Sequence, residues 1–424
     1  MPNVIEILKE RGFIEAMTSE DMEVVVKTQL LVYCGFDPTS DSLHLGNMVA
    51  IMGLAWFQKC GHTPVALVGG ATGMIGDPSG KAAERQLLDA ETLEKNLKGI
   101  QKNLETILNQ NASDSKPLFL NNYDWFKDFS FIDFLRDVGK NFRIGQMLAK
   151  ESVKLRLNSD EGMSFTEFCY QLLQGYDFLY LNEHYAVSLQ IGGSDQWGNI
   201  TAGTDLIRKV HGKAAYGITF PLMTRSDGQK FGKSEKGAIW LSSEKLSPFE
   251  FYQYLFRVSD ADVIKLMRLL TFMDMEEIRA YEKRMLAADY IPNTAQKRLA
   301  EEVTRIVHGE EKLQAALKAT DGVAPGSKTV LNVEILENIA ADIPSKTFEK
   351  HEVQGIKLID LLVKIALVTS KGEARRLLQN GGLYLNNEKI NDEHYTICPD
   401  DLIGEHLMLI AAGKKNKLLV RVKK

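Results

Sequence analysis

Residues 31–47 read L-V-Y-C-G-F-D-P-T-S-D-S-L-H-L-G-N. The first six are an apolar run of strand length. The run breaks at Asp37–Pro38 into a polar loop of turn-forming residues. From Gly46 the chain resumes as N-M-V-A-I-M-G-L-A-W-F-Q-K, apolar almost all round and therefore expected as a buried helix. Strand, tight loop and buried helix make the first βα unit of an open α/β sheet, where ligands sit beyond the carboxyl ends of the strands. The unpaired N–H groups at the start of such a helix favour anions, and His44 can add a side-chain donor to a phosphate.

The same alternation continues outward from this stretch. A second strand is expected over Thr63 to Gly69, ending in G-G-A-T-G-M-I-G-D-P-S-G-K-A, and a third over K-P-L-F-L-N-N, ending near Asn122. Residues 130–182 are mostly of helical period. In the last of these helices Tyr170, Gln174 and Asp177 stand at i, i+4 and i+7, on one face. A fourth strand, V-S-L-Q-I-G, runs into G-S-D-Q-W-G-N. A fifth, I-T-F-P-L-M, leads to R-S-D-G-Q-K-F-G-K-S. This β-loop-α pattern predicts a Rossmann-like, parallel, doubly wound sheet of the α/β class. Residues 1–30 are expected as one or two short helices, and residues 247 to about 320 as four helical segments. D-G-V-A-P-G-S-K, Asp321 to Lys328, has linker composition. A small α+β unit follows from about Gly355. The expected division is residues 1–223 for the sheet domain, 224–320 for a helical domain, 321–350 for a linker and 351–424 for the terminal unit.

Composition narrows the class. In 424 residues, 44% hydrophobic and 25% charged content describe an ordinary globular protein of two or three domains. A net charge of −5 argues against a protein that coats nucleic acid over its whole surface, though not against a local basic face. The four cysteines are far apart, with no C-x-x-C pair, which fits a reducing compartment and offers no zinc site. There is no signal-peptide apolar region, and the longest apolar run, Met48 to Phe57, is too short to span a bilayer. A cytoplasmic protein is expected.

Taken singly, the polar motifs stay ambiguous. G-D-P-S-G-K-A is not a P-loop: three residues, not four, separate Gly76 from Gly80, and Ala82 follows Lys81. On its own the segment reads as an ordinary βα turn with a solvated lysine. His44 alone reads as a surface residue, Lys230 and Lys233 as solvated neighbours of an Asp-Gly turn, and the Tyr170/Gln174/Asp177 stripe as a satisfied core edge.

Their joint order is more specific. H-L-G-N at the first βα turn and K-F-G-K-S after the last strand resemble the HIGH and KMSKS signatures of class I aminoacyl-tRNA synthetases. Y-C-G-F-D-P-T, G-D-P-S-G-K, F-C-Y-Q-L-L-Q-G-Y-D and Q-I-G-G-S-D-Q-W-G-N, in this order, are similar to those of bacterial tyrosyl-tRNA synthetases. The resemblance spans essentially the whole chain. Its terminal unit resembles the small RNA-binding domain also found in ribosomal protein S-four.

The resemblance implies condensation of L-tyrosine with ATP, then transfer of tyrosine to the 3′ end of tRNA(Tyr). It implies that Thr39 and His44 donate to the ATP phosphates, and that Lys81, Arg85, Lys230 and Lys233 surround the departing pyrophosphate. Cys34, Gly35 and Asp37 would face the adenosine side. Gly46, Asn47, Phe231, Gly232 and Ser234 would complete the two signature loops, and Gly192, Gly193 and Asp195 would hold the ribose. Tyr33 and Asp177 would meet the substrate phenol, Asp77, Tyr170 and Gln174 its ammonium, and Gln196 its carboxylate. Mg2+ would arrive on the ATP phosphates, with no protein metal cage. Asn47 stands where the family's second HIGH histidine belongs; it keeps an N–H donor but cannot carry charge. For RNA backbone phosphates, Lys371, Arg375, Arg376, Lys414, Lys415, Lys417 and Arg421, with Lys423 and Lys424, are the candidates, although seven acids are interspersed from residue 371 onward. The family also implies a homodimer meeting near residues 125–160. Three rivals remain: a smaller nucleotidyltransferase of the same superfamily, a tryptophanyl-tRNA synthetase, and a non-catalytic RNA-binding relative. The Tyr33/Asp177 pair favours a phenol over an indole, and intact His44, Lys230 and Lys233 favour catalysis.

Overall fold

The central strands Leu31–Phe36 and Thr63–Val68 end where their apolar runs end, at Asp37 and Gly69. The computed structural model describes residues 2–79, 88–110, 115–159, 162–234, 237–322, 326–327, 330–340, 343–413 and 416–423. Lys81, Arg85, Lys414, Lys415 and Lys424 lie outside the described residues. The described residues form two compact units, one of residues 1–246 and 255–308, the other of residues 247–254 and 309–424.

The first unit holds a six-stranded sheet. Its strands are β1 (Ala16–Met17), β2 (Leu31–Phe36), β3 (Thr63–Val68), β4 (Leu118–Asn121), β5 (Val187–Gly193) and β6 (Tyr216–Phe220), in the order β1-β6-β5-β2-β3-β4. All neighbours are parallel except β1, which runs antiparallel to β6. The chain winds from β2 toward β4 on one side and from β5 toward β6 on the other. The β2–β5 junction is therefore the topological switch point, where a cleft opens beyond the strand ends. The two-residue β1 lies in the stretch read as helices; a run that short leaves no alternation to detect.

The helix Met48–Lys59 buries every residue except Ala50 and Lys59. It packs on β2, β3 and β5 and also meets the helices Val4–Arg11, Ala90–Leu108 and Asp260–Leu270, which explains its all-round apolar character. Arg11, 2% exposed, ties part of this packing: its guanidinium donates to the carbonyls of Arg268, Thr271 and Met273 and lies 4.5 Å from the Trp56 ring centroid. On the other face, Phe165–Tyr185 starts at Ser164, whose hydroxyl accepts from the Glu167 N–H. The buried pair Arg156–Glu167, bonded through both carboxylate oxygens, braces it. A short hairpin, β7 (Lys233–Ser234) and β8 (Gly237–Ala238), follows the sheet.

The second unit carries β9 (Ser345–Phe348), β10 (Leu383–Leu385), β11 (Glu388–Lys389), β12 (Leu407–Ala412) and β13 (Asn416–Val422), ordered β11-β10-β12-β13-β9. The β10–β11 turn places Asn386 and Asn387 at φ 47° and 71°, the left-handed pair that a tight hairpin needs. Every residue of β12 is buried. Met408, Ile410 and Ala412 face one core with the helices Leu358–Lys364 and Lys371–Gln379, while Leu407 and Leu409 join Leu336, Ile339 and Leu419 in another.

Two expectations about this half are corrected. Residues 224–320 are not one body: residues 247–254 and those from Gly309 onward belong to the second unit. Gly309, at φ 83° and ψ 169°, breaks the helical run Thr294–Gly322 at that boundary. Nor is 321–350 a linker throughout, because it contains the helix Val333–Ile339 and β9. β9 is a four-residue edge strand, three polar residues and Phe348, paired with β13 on one side, so hydrophobic alternation is too short to reveal it.

Candidate active site

At the switch point lies a cavity of about 420 Å³. Nearly all the sequence-selected residues of the first unit line it: Tyr33, Cys34, Gly35, Asp37, Thr39, His44, Gly46, Asn47, Asp77, Tyr170, Gln174, Asp177, Gly192, Gly193, Asp195, Gln196, Lys230, Phe231 and Lys233. Gly232 lies between Phe231 and Lys233 in the same loop, and Ser234 follows on β7.

At its deep end Tyr33 and Asp177 are both buried, at 1% and 2% exposure. Asp177 receives the Trp125 indole N–H at 2.9 Å on one oxygen and the Asn122 amide at 3.1 Å on the other. Burial nevertheless pushes its carboxyl up to about 8, against the pull of those two donors. The Tyr33 hydroxyl has no hydrogen-bond partner among the described residues, and burial, with the charge of Asp177, raises its pKa well above the usual value. An orphaned buried hydroxyl beside a buried carboxylate is a pair awaiting a third polar group.

The Asn122 amide continues the network. It donates also to Thr72 Oγ1 at 3.0 Å and accepts from the Ala71 N–H at 2.7 Å. Thr72 donates to one Asp37 oxygen at 2.8 Å, and the Tyr170 hydroxyl donates to the other at 2.8 Å. Asp37, which the resemblance places on the adenosine side, thus touches the helix face that it assigns to the amino acid. Gly69 makes the approach possible: a Cβ there would fall 2.2 Å from Asp37 Oδ1 and 2.3 Å from Thr72 Oγ1.

Asp77 anchors a second cluster. Gln196 donates to its Oδ2 at 2.8 Å, the Ser79 N–H donates to its Oδ1 at 3.0 Å, and Asn199 bridges to Gln174 Oε1 at 3.0 Å. Three amides and one carboxylate form a polar end suited to a zwitterion. Nearby, burial and then the charge of Asp77 raise the Asp195 carboxyl, while Lys230 draws it back. Burial pushes the Cys34 thiol up to about 12, so Cys34 is a neutral wall, not a nucleophile.

The signature loops meet at the mouth. The His44 Nδ1 accepts from the Gly46 N–H at 3.1 Å, and its own backbone N–H donates to Asn47 Oδ1 at 3.1 Å. With Nδ1 accepting, the neutral ring carries its proton on Nε2. Asn47 closes a box around the short helical turn Leu45–Asn47, which turns its Nδ2 into the donor end. Gly232, at φ 83°, packs so tightly on this turn that a Cβ would stand 2.8 Å from the Gly46 nitrogen. Beyond it the Leu45 N–H donates to the Ile239 carbonyl at 2.7 Å.

Sequence reading missed Thr72, Asn122, Trp125, Gln190 and Asn199. Gln190, 2% exposed on β5, is the register partner of Tyr33 and lines the cavity. A polar residue at an inward position of a buried strand was the signal available for it.

The basic candidates of the second unit are mostly paired. Lys371 meets Asp360 at 2.7 Å, Arg375 meets Glu393 at 2.7 Å, and Lys423 meets Glu349 at 2.7 Å. Arg421 binds both Glu337 oxygens, at 2.9 and 2.6 Å. Arg376 stands on the same helix as Lys371 and Arg375, and Lys417 lies on β13. Among the described residues no helix is long and apolar enough to cross a membrane.

The profile of the class I tRNA synthetases (W and Y) matches residues 27–323, and that of the tyrosine–tRNA ligase SYY-like C-terminal domain matches residues 334–420. The chain is 68% identical over 422 residues to the tyrosine–tRNA ligase of Protochlamydia amoebophila, covering 100% of this chain and 99% of that protein. It is 54% identical to the chloroplastic/mitochondrial tyrosine–tRNA ligase of Arabidopsis thaliana, covering 99% of this chain and 84% of the relative. Among solved structures, the C-terminally truncated mitochondrial tyrosyl-tRNA synthetase of Coccidioides posadasii matches with a TM-score of 0.66 at 31% identity, over 75% of this chain and 92% of that one. The chain belongs to the class I tRNA synthetases and, within them, to the tyrosine–tRNA ligase family.

Proposed function

We propose that the chain activates L-tyrosine with ATP to tyrosyl-adenylate and pyrophosphate, then transfers tyrosine to the 3′ end of tRNA(Tyr). The observation that carries this reading is the Asp177/Tyr33 pair, a buried carboxyl group with two fixed donors beside a buried hydroxyl with no partner among the described residues. A phenol fills both needs, giving its proton to Asp177 and accepting from Tyr33. Phenylalanine leaves both unpaired in a dry pocket.

Activation is an in-line attack of the tyrosine carboxylate on the α-phosphorus. It needs no protein nucleophile, so orientation and charge stabilisation carry it. The ammonium sits at Asp77, Tyr170 and Gln174, and Gln196 steadies the carboxylate. Thr39, His44 through Nε2–H and Asn47 through Nδ2 donate to the phosphates. Gly46, Phe231, Gly232 and Ser234 shape the loops around them. Lys230 and Lys233, with Lys81 and Arg85, balance the charge that grows on the leaving pyrophosphate. Cys34, Gly35 and Asp37 border the adenosine, and Asp195 with Gly192 and Gly193 holds the ribose. Asp37, Asp77 and Asp177 already accept from protein donors, which suits an ion held by phosphates and water. Mg2+, arriving with ATP, would supply further charge neutralisation there.

Lys371, Arg375, Arg376, Lys414, Lys415, Lys417 and Arg421 contact tRNA backbone phosphates, exchanging their carboxylate partners where they have them. The chain works as a cytoplasmic homodimer. Phe131, Ile132, Ile144, Leu155 and Phe165, each between 62% and 69% exposed, support a subunit contact in the helical region. The decisive experiment is amino-acid-dependent exchange of pyrophosphate into ATP across all twenty amino acids. Tyrosine alone should support it; exchange with tryptophan alone, or with none, refutes the reading.

A further inference from the structure

The exposed turn Arg225–Gly228, just before Lys230, is gripped by a carboxylate from a helix that takes no part in the cleft. Asp262, 6% exposed, is the third residue of the helix Asp260–Leu270. Its Oδ1 accepts the Ser226 backbone N–H at 2.8 Å, and its Oδ2 accepts the hydroxyls of Ser226 at 3.2 Å and Ser259 at 2.7 Å. An acid at this position ordinarily folds back onto the N-cap N–H, while the N-cap hydroxyl accepts from the third N–H. Here the N-cap, Ser259, makes no side-chain cap bond, and its hydroxyl donates to Asp262 instead. The helix lacks its local cap, and the acid is directed to a loop 36 residues earlier.

What it grips is a closed hairpin. The Arg225 N–H donates to the Gln229 carbonyl at 2.8 Å, Thr224 and Lys230 form a bridge, and the Phe231 N–H donates to the Met223 carbonyl at 2.9 Å. Lys230 leaves this hairpin into the cavity, where its charge acts on Asp195. On the far side Gly232 is pressed against Gly46. The lysine is therefore suspended between two anchors, the Leu45–Gly46 backbone and Asp262.

We infer that Asp262, through Ser226, is a positioning residue that sets where Lys230 stands for the ATP phosphates. The inference rests on the ATP-phosphate role given to Lys230 above. Without the clamp the hairpin can pivot about its base at Met223–Phe231, and an ångström-scale shift at Lys230 acts on phosphate contact while leaving the buried phenol pocket alone.

The test is tyrosine-dependent pyrophosphate exchange by the full-length chain. Asp262→Ala should raise the KM for ATP and lower kcat by roughly tenfold in combined effect, with the KM for tyrosine unchanged. Asp262→Asn keeps an acceptor for the Ser226 N–H and should recover most of the loss. Ser226→Pro removes both loop-side bonds at the second turn position, which proline tolerates, and leaves the buried helix intact, so it should reproduce the ATP defect even if Asp262→Ala folds poorly. ATP parameters unchanged in Ser226→Pro would overturn the inference. So would equal losses for tyrosine and ATP that Asp262→Asn does not rescue, since they describe a merely structural residue. Absence of tyrosine-dependent exchange in the unaltered chain would instead defeat the functional reading beneath it.

Discussion

Asp177→Asn is the sharpest perturbation of the phenol pocket, because it changes one atom and no volume. The two carboxylate oxygens accept from Trp125 at 2.9 Å and from Asn122 at 3.1 Å. An amide at position 177 can offer an oxygen to only one of them. If that oxygen faces Trp125, its new NH2 faces the Asn122 NH2. Asn122 cannot turn over to help, since its own oxygen is held by the Ala71 N–H at 2.7 Å. The pocket thus gains an opposed donor and, above the carboxyl's pKa of about 8, where the assay is run, loses the charge that strengthened the bond to the substrate hydroxyl. Losing a charge-assisted bond is worth about 1.5–3 kcal/mol, so kcat/KM for tyrosine should fall about 10- to 150-fold. Phenylalanine never makes that bond and should change little, so tyrosine-over-phenylalanine discrimination should narrow by a similar factor. Pyrophosphate exchange with each amino acid, at saturating ATP, reads both numbers. Equal losses for the two amino acids, or discrimination altered by less than about threefold, would show that Asp177 does not meet the phenol.

Other consequences follow from the same geometry. With the Asp177 carboxyl pushed up to about 8 by burial, kcat/KM for tyrosine should rise with pH through that value, and Asp177→Asn should remove the inflection. The folded chain then holds a proton there that the unfolded chain releases near the ordinary value of about 4. This group's contribution to stability therefore falls as pH rises from about 4 to about 8, and calorimetry should find a flatter Tm profile over that window in the variant. Asn47→Ala removes both the box on the His44 N–H and a phosphate donor. A cap loss of about 1 kcal/mol predicts an ATP KM raised about fivefold or more with tyrosine KM unchanged, and an unaltered ATP KM would remove Asn47 from the site. A chain ending at Gly322 loses the second-unit sheet, so tyrosine-dependent exchange should persist while tRNA charging drops by an order of magnitude or more; normal charging would refute the RNA role. Ile132→Glu, at a position 69% exposed, should convert a dimer to monomer in sedimentation, and an unchanged mass would exclude this face as the subunit contact.

The parallel sheet was legible because β2, β3 and β5 are buried runs cut off by turn residues, the pattern that central strands impose. The site residues that touch the cavity were legible because long motifs stand in a family's order. What stayed hidden had no local signature. β9 is four residues at an edge, with Phe348 its only apolar side chain, too short a run for alternation to mark. Gly309 divides a helical run that has no other break in its period, so the unit boundary there could not be drawn from periodicity. Several basic residues near the end looked available for RNA in the sequence because their carboxylate partners are distant: Arg421 pairs with Glu337 across 84 residues.

The residues that orient the site were hidden for the same reason, and Asn122 shows why it matters. A primary amide has two N–H groups and one oxygen. In Asn122, 0% exposed, the two donors go to Thr72, 50 residues earlier, and Asp177, 55 residues later, while the oxygen goes to Ala71. Every polar group is used in one orientation only, so the amide cannot rotate without leaving a buried atom unpaired. Through Thr72 the constraint reaches Asp37, and through Asp37 the Tyr170 hydroxyl. The deep end of the cavity, proposed for the phenol, and the acid proposed to border the adenosine are therefore one hydrogen-bonded body, with Asp37 close enough that its charge raises the Asp177 carboxyl. Two carboxyl groups held this near are each met by fixed donors, Thr72 and Tyr170 on Asp37, Asn122 and Trp125 on Asp177. Thr72 follows β3, and Asn122 and Trp125 follow β4, so three of the four donors are set by where those strands end, not by any spacing along the chain.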